Sequence, residues 1–153
     1  MMILQQESPL SSDVIELLKA HHREMFDHSP RGSVHALDES QFNSPHMTFW
    51  SVRVNQQLAG CGALKTIDEK HGEIKAMRTA KGFERQGVAT TLLENIITQA
   101  QIRGCTRVSL ETGSMAFFAP ARQLYLRRGF KPCPPFAGYF DDPNSICMTL
   151  TLD

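Results

Sequence analysis

Two glycines in one polar connection, Gly82 and Gly87, stand between a strand-like run that ends at Thr79 and an amphipathic segment that stops at Gly104. Strand, glycine-bearing turn and helix together make a cradle for an anion. The first amides of a helix have no partner inside it, and the positive end of the macrodipole lies among them. The spacing of the glycines matches a nucleotide-binding P-loop, but that motif needs Lys and Ser/Thr next, and here Val88 and Ala89 follow. No G-x-G-x-x-G fingerprint of a dinucleotide site occurs either. What remains is a turn of the form x-x-x-G-x-A over Glu84 to Ala89, in which phosphate would be held mainly by backbone amides.

Other reactive side chains are less patterned. Cys61, Cys105, Cys133 and Cys147 lie far apart with no C-x-x-C pair, so neither a zinc knuckle nor a redox motif is written here. Buried, reduced thiols are the expectation, with no activating partner that would support a cysteine intermediate. His21 and His22 are neighbours on a predicted helix and cannot share one face of it; surface or satisfied core roles are expected of them. His46 and His71 read as turn residues.

The elements that must carry these groups follow from periodicity. Met2 to Gln5 reads as a strand, and a helix capped by Ser11 or Ser12 runs to about Asp27 with Val14, Leu17, Leu18, His21 and Met25 at helical spacing. Arg31 to Pro45 is polar, with a short helix around Leu37 to Phe42 or a loop over a site. Met47 to Val54 and Leu58 to Ile67 form a β-hairpin. In Glu73 to Thr79, alternation places Glu73, Lys75, Met77 and Thr79 on one face and Ile74, Ala76 and Arg78 on the other, unless a bulge shifts the pattern partway. From Arg85 to Arg103 two stripes, Val88-Leu92-Ile96 and Ala89-Leu93-Ile97-Ala100, make one broad apolar helix face closed by Gly104. Thr106 to Glu111 is a strand, Pro120 opens a helix that Gly129 ends, and Phe130 to Pro135 and Ile146 to Leu152 are two last strands. That order predicts a mixed α/β sheet with helices on its faces.

Composition bounds the function. At 153 residues, 41% hydrophobic and 21% charged, the chain reads as one soluble domain with a real core. Sixteen basic and sixteen acidic residues cancel, so nothing suggests a nucleic-acid surface or an electrostatic membrane anchor. The N-terminus lacks a basic segment followed by an apolar core, and no run is long enough to span a membrane, so a cytoplasmic location is expected.

Glu84-Arg85-Gln86-Gly87-Val88-Ala89 resembles the R/Q-x-x-G-x-G/A pyrophosphate loop of the GCN5-related N-acetyltransferases, the GNAT superfamily. Ala121-Arg122-Gln123-Leu124-Tyr125-Leu126-Arg127-Arg128-Gly129-Phe130 is similar to that family's A-x-x-L-Y-x-x-x-G-F segment. Similarity covers about Phe49 to Phe130. Glu84 stands where the family prefers Arg or Gln, and Phe118 where many members have Asn. The segments LETG (Leu110 to Gly113) and DPNS (Asp142 to Ser145) resemble a bacterial subgroup of small proteins.

The resemblance implies a single N-acetyltransferase domain over residues 1–153, a mostly antiparallel sheet, and a splayed strand pair that binds acetyl-CoA. It implies that the backbones of Met77, Arg78 and Thr79 pair with the pantetheine arm, the Met77 amide serving as oxyanion donor. Amides over Arg85, Gln86, Gly87, Val88, Ala89 and Thr90 would hold the pyrophosphate. Tyr125 is the implied general acid, facing the opening while Leu124 faces the core, and Glu73 the implied general base, with Glu111 its rival. Arg78 could meet an acidic acceptor, and Asp141 and Asp142 a cationic one. The expected reaction is direct acetyl transfer in a ternary complex to a primary amine of a small molecule, without a metal. A protein lysine or N-terminal acceptor, or a CoA-binding module without catalysis, are the alternatives, and the resemblance allows a homodimer.

Overall fold

The computed structural model describes residues 1–30, 32 and 44–153. Strand β1 (Met2–Gln6) is followed by helix α1 (Ser12–His28), strands β2 (Met47–Val54), β3 (Gln57–Asp68) and β4 (His71–Thr79), and helix α2 (Val88–Ile102). After β5 (Arg107–Gly113), a 3-10 turn over Ala116–Phe118 leads into α3 (Ala119–Arg128), β6 (Lys131–Cys133) and β7 (Ser145–Thr151). The short helix expected around Leu37 to Phe42 lies outside the described residues.

Seven strands form one sheet in the order β1-β2-β3-β4-β5-β7-β6. Every pairing is antiparallel except β4 with β5. The β2–β3 connection is tighter than the sequence suggests. Gln57 already pairs with Val54, and Asn55 and Gln56, with φ of 50° and 71°, make a two-residue turn whose twist matches that of the strands it joins.

Each face of the sheet is covered by apolar side chains whose period matches their element. On one face Val14 and Leu18 of α1 pack against Phe49, Cys61 and Ala63. On the other, Val88, Leu92, Leu93, Ile96, Ile97 and Ala100 of α2 bury themselves with Tyr125 of α3 against Trp50, Val52, Ile74, Val108, Leu110 and Met148. The stripes read from the sequence of α2 are therefore the buried ones. The helix itself begins at Val88 and not at Arg85, because Arg85 (φ 63°) and Gly87 (φ 85°) hold left-handed backbone that a helix cannot include.

The alternation expected along β4 is broken midway. Cys61 pairs with Arg78 while Ala63 pairs with Lys75, so Gly62 stands opposite two residues, and Ala76 takes φ 57°. This bulge moves Met77 onto the α2 face beside Ile74 and turns Arg78 toward α1, where it meets Glu24. Met77 thus leaves the face of Glu73 and Lys75, and Arg78 leaves that of Ile74.

Gly60 and Gly62 of β3 let α2 and the bulge approach closely. A Cβ on Gly60 would lie 2.6 Å from Val88 Cγ1 and 2.8 Å from the carbonyl oxygen of Arg78. Gly60→Ala is expected to destabilise the fold by about 1–3 kcal/mol through this overpacking, seen as a lower Tm in thermal denaturation. An unchanged Tm would contradict so close a seat for α2.

Candidate active site

The parallel pairing of β4 and β5 lasts for three partners only: His71 with Arg107, Gly72 with Val108, and Glu73 with Ser109. Beyond them β4 continues to Thr79 against β3, and β5 continues to Gly113 against β7. The two strands therefore part directly after Glu73 and leave facing backbone edges without a strand partner. Exposed edge groups of this kind need hydrogen-bond partners from elsewhere. Met77, Arg78 and Thr79 lie along one side of the opening, on the part of β4 beyond the bulge.

The glycine turn enters at the open end. Ala80 N–H donates to the Ala59 carbonyl at 2.7 Å and Phe83 N–H to the Ala80 carbonyl at 3.0 Å, so the chain turns sharply out of β4. Gly87 is the residue before α2 and no side chain caps the helix there. The first backbone bond of the helix is Thr91 N–H to the Gly87 carbonyl, at 3.0 Å. The amides of Val88, Ala89 and Thr90 precede it and have no partner within the helix. Glu84 does not point at these amides. Its carboxylate turns back and accepts the Gly82 N–H at 2.9 Å, so the residue that departs from the family pattern serves to close the turn. The amides of Val88, Ala89 and Thr90 at this uncapped helix start are of the kind that can take an anion.

On the α1 side of the sheet, buried polar groups gather where the strands part. Glu73 is 2% exposed. Its Oε2 accepts the Tyr139 hydroxyl at 2.5 Å and Lys75 Nζ at 3.4 Å, and Lys75 Nζ also donates to the Tyr139 oxygen at 3.1 Å. On β5, Glu111 Oε2 accepts the Ser145 hydroxyl at 2.5 Å. Burial pushes the Glu111 carboxyl up to about 7, against the lowering effects of Ser145 and Lys75.

His71 is buried, 6% exposed, in place of the turn position its sequence suggests. Arg107 Nη2 lies 3.1 Å from Nδ1, and arginine can only donate, so the proton of the ring is on Nε2. That proton goes to Ser109 Oγ at 2.7 Å, and Ser109 lies 2.9 Å from Thr149 Oγ1. Burial first, and then Arg107, push the His71 pKa down. His71 is thus a neutral donor with both nitrogens engaged.

Tyr125 is buried more deeply than Leu124, the reverse of the order expected of them. Tyr125 is 6% exposed within the α2-side core, its ring 5.8 Å from that of Phe130, while Leu124 is only partly buried. Burial drives the Tyr125 pKa up, so the phenol stays protonated. Helix α3 is set against the end of β5 by Arg122, which donates to the carbonyls of Gly113 at 2.7 Å and Met115 at 2.9 Å. Arg78 is bidentate to Glu24 of α1, so its charge has a partner within the chain. His21, half-buried beside this pair, has its pKa lowered to about 4 by burial and by Arg78.

Tyr139 was invisible to periodicity. It lies between β6 and β7, and nothing in its flanking residues points to Glu73; the one available signal was its nearness to the DPNS segment. That segment now has a structural meaning. Asp142 accepts the Asn144 amide at 2.9 Å, the Pro143 carbonyl accepts the Ser114 hydroxyl at 2.8 Å, and Ser145 donates to Glu111 of LETG.

All four cysteines are free thiols, with Cys133 the partly exposed one. Among the described residues no group of three or more His, Cys, Asp or Glu could hold a metal ion, and no helix is long and apolar enough to cross a membrane.

The pattern of the Acetyltransferase (GNAT) family matches residues 13–130. The chain is 51% identical over 139 residues to an uncharacterised N-acetyltransferase of Bacillus subtilis, covering 91% of this chain and 92% of that one. It is 34% identical to an IAA acetyltransferase of Azospirillum brasilense, over 96% and 95% of the two chains. The fold is shared with a GNAT family acetyltransferase from Elizabethkingia anophelis solved with acetyl-CoA bound, at a TM-score of 0.71 and 18% identity, over 99% of this chain and 98% of that one. With an open parallel strand pair, an uncapped helix start beside it, and these relatives, the chain belongs to the GNAT family and is an acetyl-CoA-dependent acyltransferase.

Proposed function

We propose that the protein transfers the acetyl group of acetyl-CoA directly to a primary amine of a small molecule, in a ternary complex and without an acyl-enzyme. The observation that carries this reading is the parting of β4 and β5 directly after Glu73, with free helix amides at one end and the buried Glu73 carboxylate on one face. The cosubstrate supplies an activated thioester; the chain's own residues bind, orient and move protons. Amides from Arg85 through Gln86, Gly87, Val88 and Ala89 to Thr90 hold the pyrophosphate, the backbone of Met77, Arg78 and Thr79 pairs with the pantetheine arm, and the Met77 amide meets the developing oxyanion. Tyr125, kept protonated by burial, gives a proton to the departing thiolate. Glu73 takes the proton of the amine. The free cysteines do not enter: burial pushes the Cys61 thiol up to about 12, far from a thiolate. The same reading treats residues 1–153 as one domain acting in the cytoplasm, alone or as a homodimer.

A second reading gives the base role to Glu111. It is favoured by that carboxyl's greater exposure and its pKa of about 7, close to the pH at which a base works best.

Release of free thiol from acetyl-CoA in the presence of a panel of polyamines, aromatic amines and amino-acid amides tests the reading. At least one amine should give turnover well above hydrolysis; tight acetyl-CoA binding with none would overturn it. Tyr125→Phe should lower kcat by about 10²-fold with acetyl-CoA affinity unchanged, and an unaltered kcat would remove Tyr125 from the acid role. Glu73→Gln should cost a similar factor while Glu111→Gln retains most of the rate, and the reverse pattern would establish Glu111 as the base. Independently, Glu111 binds its proton more tightly in the folded chain than its ordinary value of 4.5. Its contribution to stability is therefore greatest at low pH and falls as pH rises from that value toward 7. Melting temperatures across this window should decline in the wild type and flatten in Glu111→Gln.

A further inference from the structure

Tyr139 is one of only two tyrosines in the chain, and the mechanism above does not use it. It is nevertheless firmly placed. Its amide donates to the Phe136 carbonyl at 3.0 Å, and its ring meets that of Phe136 at 5.1 Å. Phe136 in turn packs on His71 at 5.5 Å. On its other side the loop is pinned to the end of β5 by Ser114, whose amide donates to the Asn144 carbonyl at 3.1 Å and whose hydroxyl donates to that of Pro143. Lys75 Nζ lies 5.7 Å from the Tyr139 ring centre, within range of a cation–π contact. A side chain held from so many directions offers its hydroxyl at a fixed point.

That point is Glu73 Oε2, on which the Tyr139 hydroxyl and Lys75 Nζ converge. Burial, and then the charge of Glu73, raise the Tyr139 pKa, so the phenol is the donor and the carboxylate the acceptor. The titratable neighbours of Glu73 and Tyr139 are His71 and Lys75 on β4, Glu111 on β5 and Cys147 on β7. Among these, Lys75 is the positive charge beside the carboxylate.

We infer that Tyr139 is the positioning residue of the base: with Lys75 it loads Oε2 of Glu73, fixes the orientation of the carboxylate where β4 and β5 part, and leaves Oε1 to take the proton of the acceptor amine. The inference rests on the reading of Glu73 as that base. A hydrogen bond to a charged group is stronger than a neutral one and sets direction as well as energy. Phenylalanine at this position keeps the ring and its packing and removes only the donor.

The test uses the full chain and the fastest amine of the panel, with Tyr139→Phe, Glu73→Gln and the double variant. Tyr139→Phe is expected to lower kcat by about tenfold with the KM for acetyl-CoA and the Tm unchanged. It should cause no further loss in the Glu73→Gln background, since the group it positions is then absent. In carbon-13 spectra of protein labelled at the glutamate carboxyls, the Glu73 signal, assigned by its disappearance in Glu73→Gln, should move in Tyr139→Phe. An unmoved signal, an unchanged kcat, or a loss that multiplies with that of Glu73→Gln would overturn the inference. If Glu73→Gln itself kept the wild-type kcat, the base assignment would fall, and with it the positioning role of Tyr139, even with a shifted signal. Were no amine turned over, the carboxyl signal alone would decide whether Tyr139 holds Glu73.

Discussion

Everything at the site depends on two parallel strands that stop pairing. Between β4 and β5 the ladder lasts from His71–Arg107 to Glu73–Ser109 and then opens, although each strand continues to pair on its outer side, β4 with an interruption at its bulge. Backbone groups in a sheet interior are rarely left without partners, so an opening here leaves donors and acceptors that a ligand's polar groups can pair with. The bulge at Ala76 falls within the unpaired part of β4, and bulges increase local twist and bend the strand that carries them. The same bulge redirects Met77 and Arg78 to opposite faces, one into the α2 core and one to Glu24 of α1. Opening, helix docking and site geometry therefore share one local distortion.

The two sides of the opening have different chemistry because different elements cover them. On the α2 side the core is apolar and delivers a helix start with free amides and no capping side chain. On the other side buried polar groups are joined in directed pairs. Arg107 donates to His71, His71 to Ser109, Tyr139 and Lys75 to Glu73, and Ser145 to Glu111. Satisfied in this way, a buried polar network is rigid and holds single orientations; in a low-dielectric interior an unpartnered member would be costly. Two carboxyls of one chemical type end in different environments, Glu73 beside a cation and a phenol and Glu111 beside a hydroxyl with its proton held up to about 7. Such separation is what allows neighbouring acids to play different parts.

The strands, the three long helices and the glycine turn were legible because their signals are local. Apolar spacing in α1 and α2, Pro120 and Gly129 around α3, and the alternation of β2 and β3 each depend on residues within a few positions of one another. The family motifs were legible for the same reason: one is a turn and the next helix start, the other is a single helix and its end. Errors arose where backbone conformation overrode pattern. Left-handed Arg85 and Gly87 delayed α2, and left-handed Ala76 shifted half of β4 to the opposite face. His71, read as a turn residue, became buried because β4 begins two residues earlier than its strongest alternation.

Element order, the glycine turn before α2 and the chemical types available to the site are written in the chain. Those follow from periodicity, glycine placement and short motifs, all of which act over a few residues. Packing across the sheet sets the parting of β4 and β5 after Glu73, the deeper burial of Tyr125 than of Leu124, and the pairing of Arg78 with Glu24. The tertiary fold alone brings Tyr139 across sixty-six positions of chain to Glu73, and Ser145 across thirty-four to Glu111. Contacts at that separation are set by sheet register and loop anchoring, which no local pattern encodes.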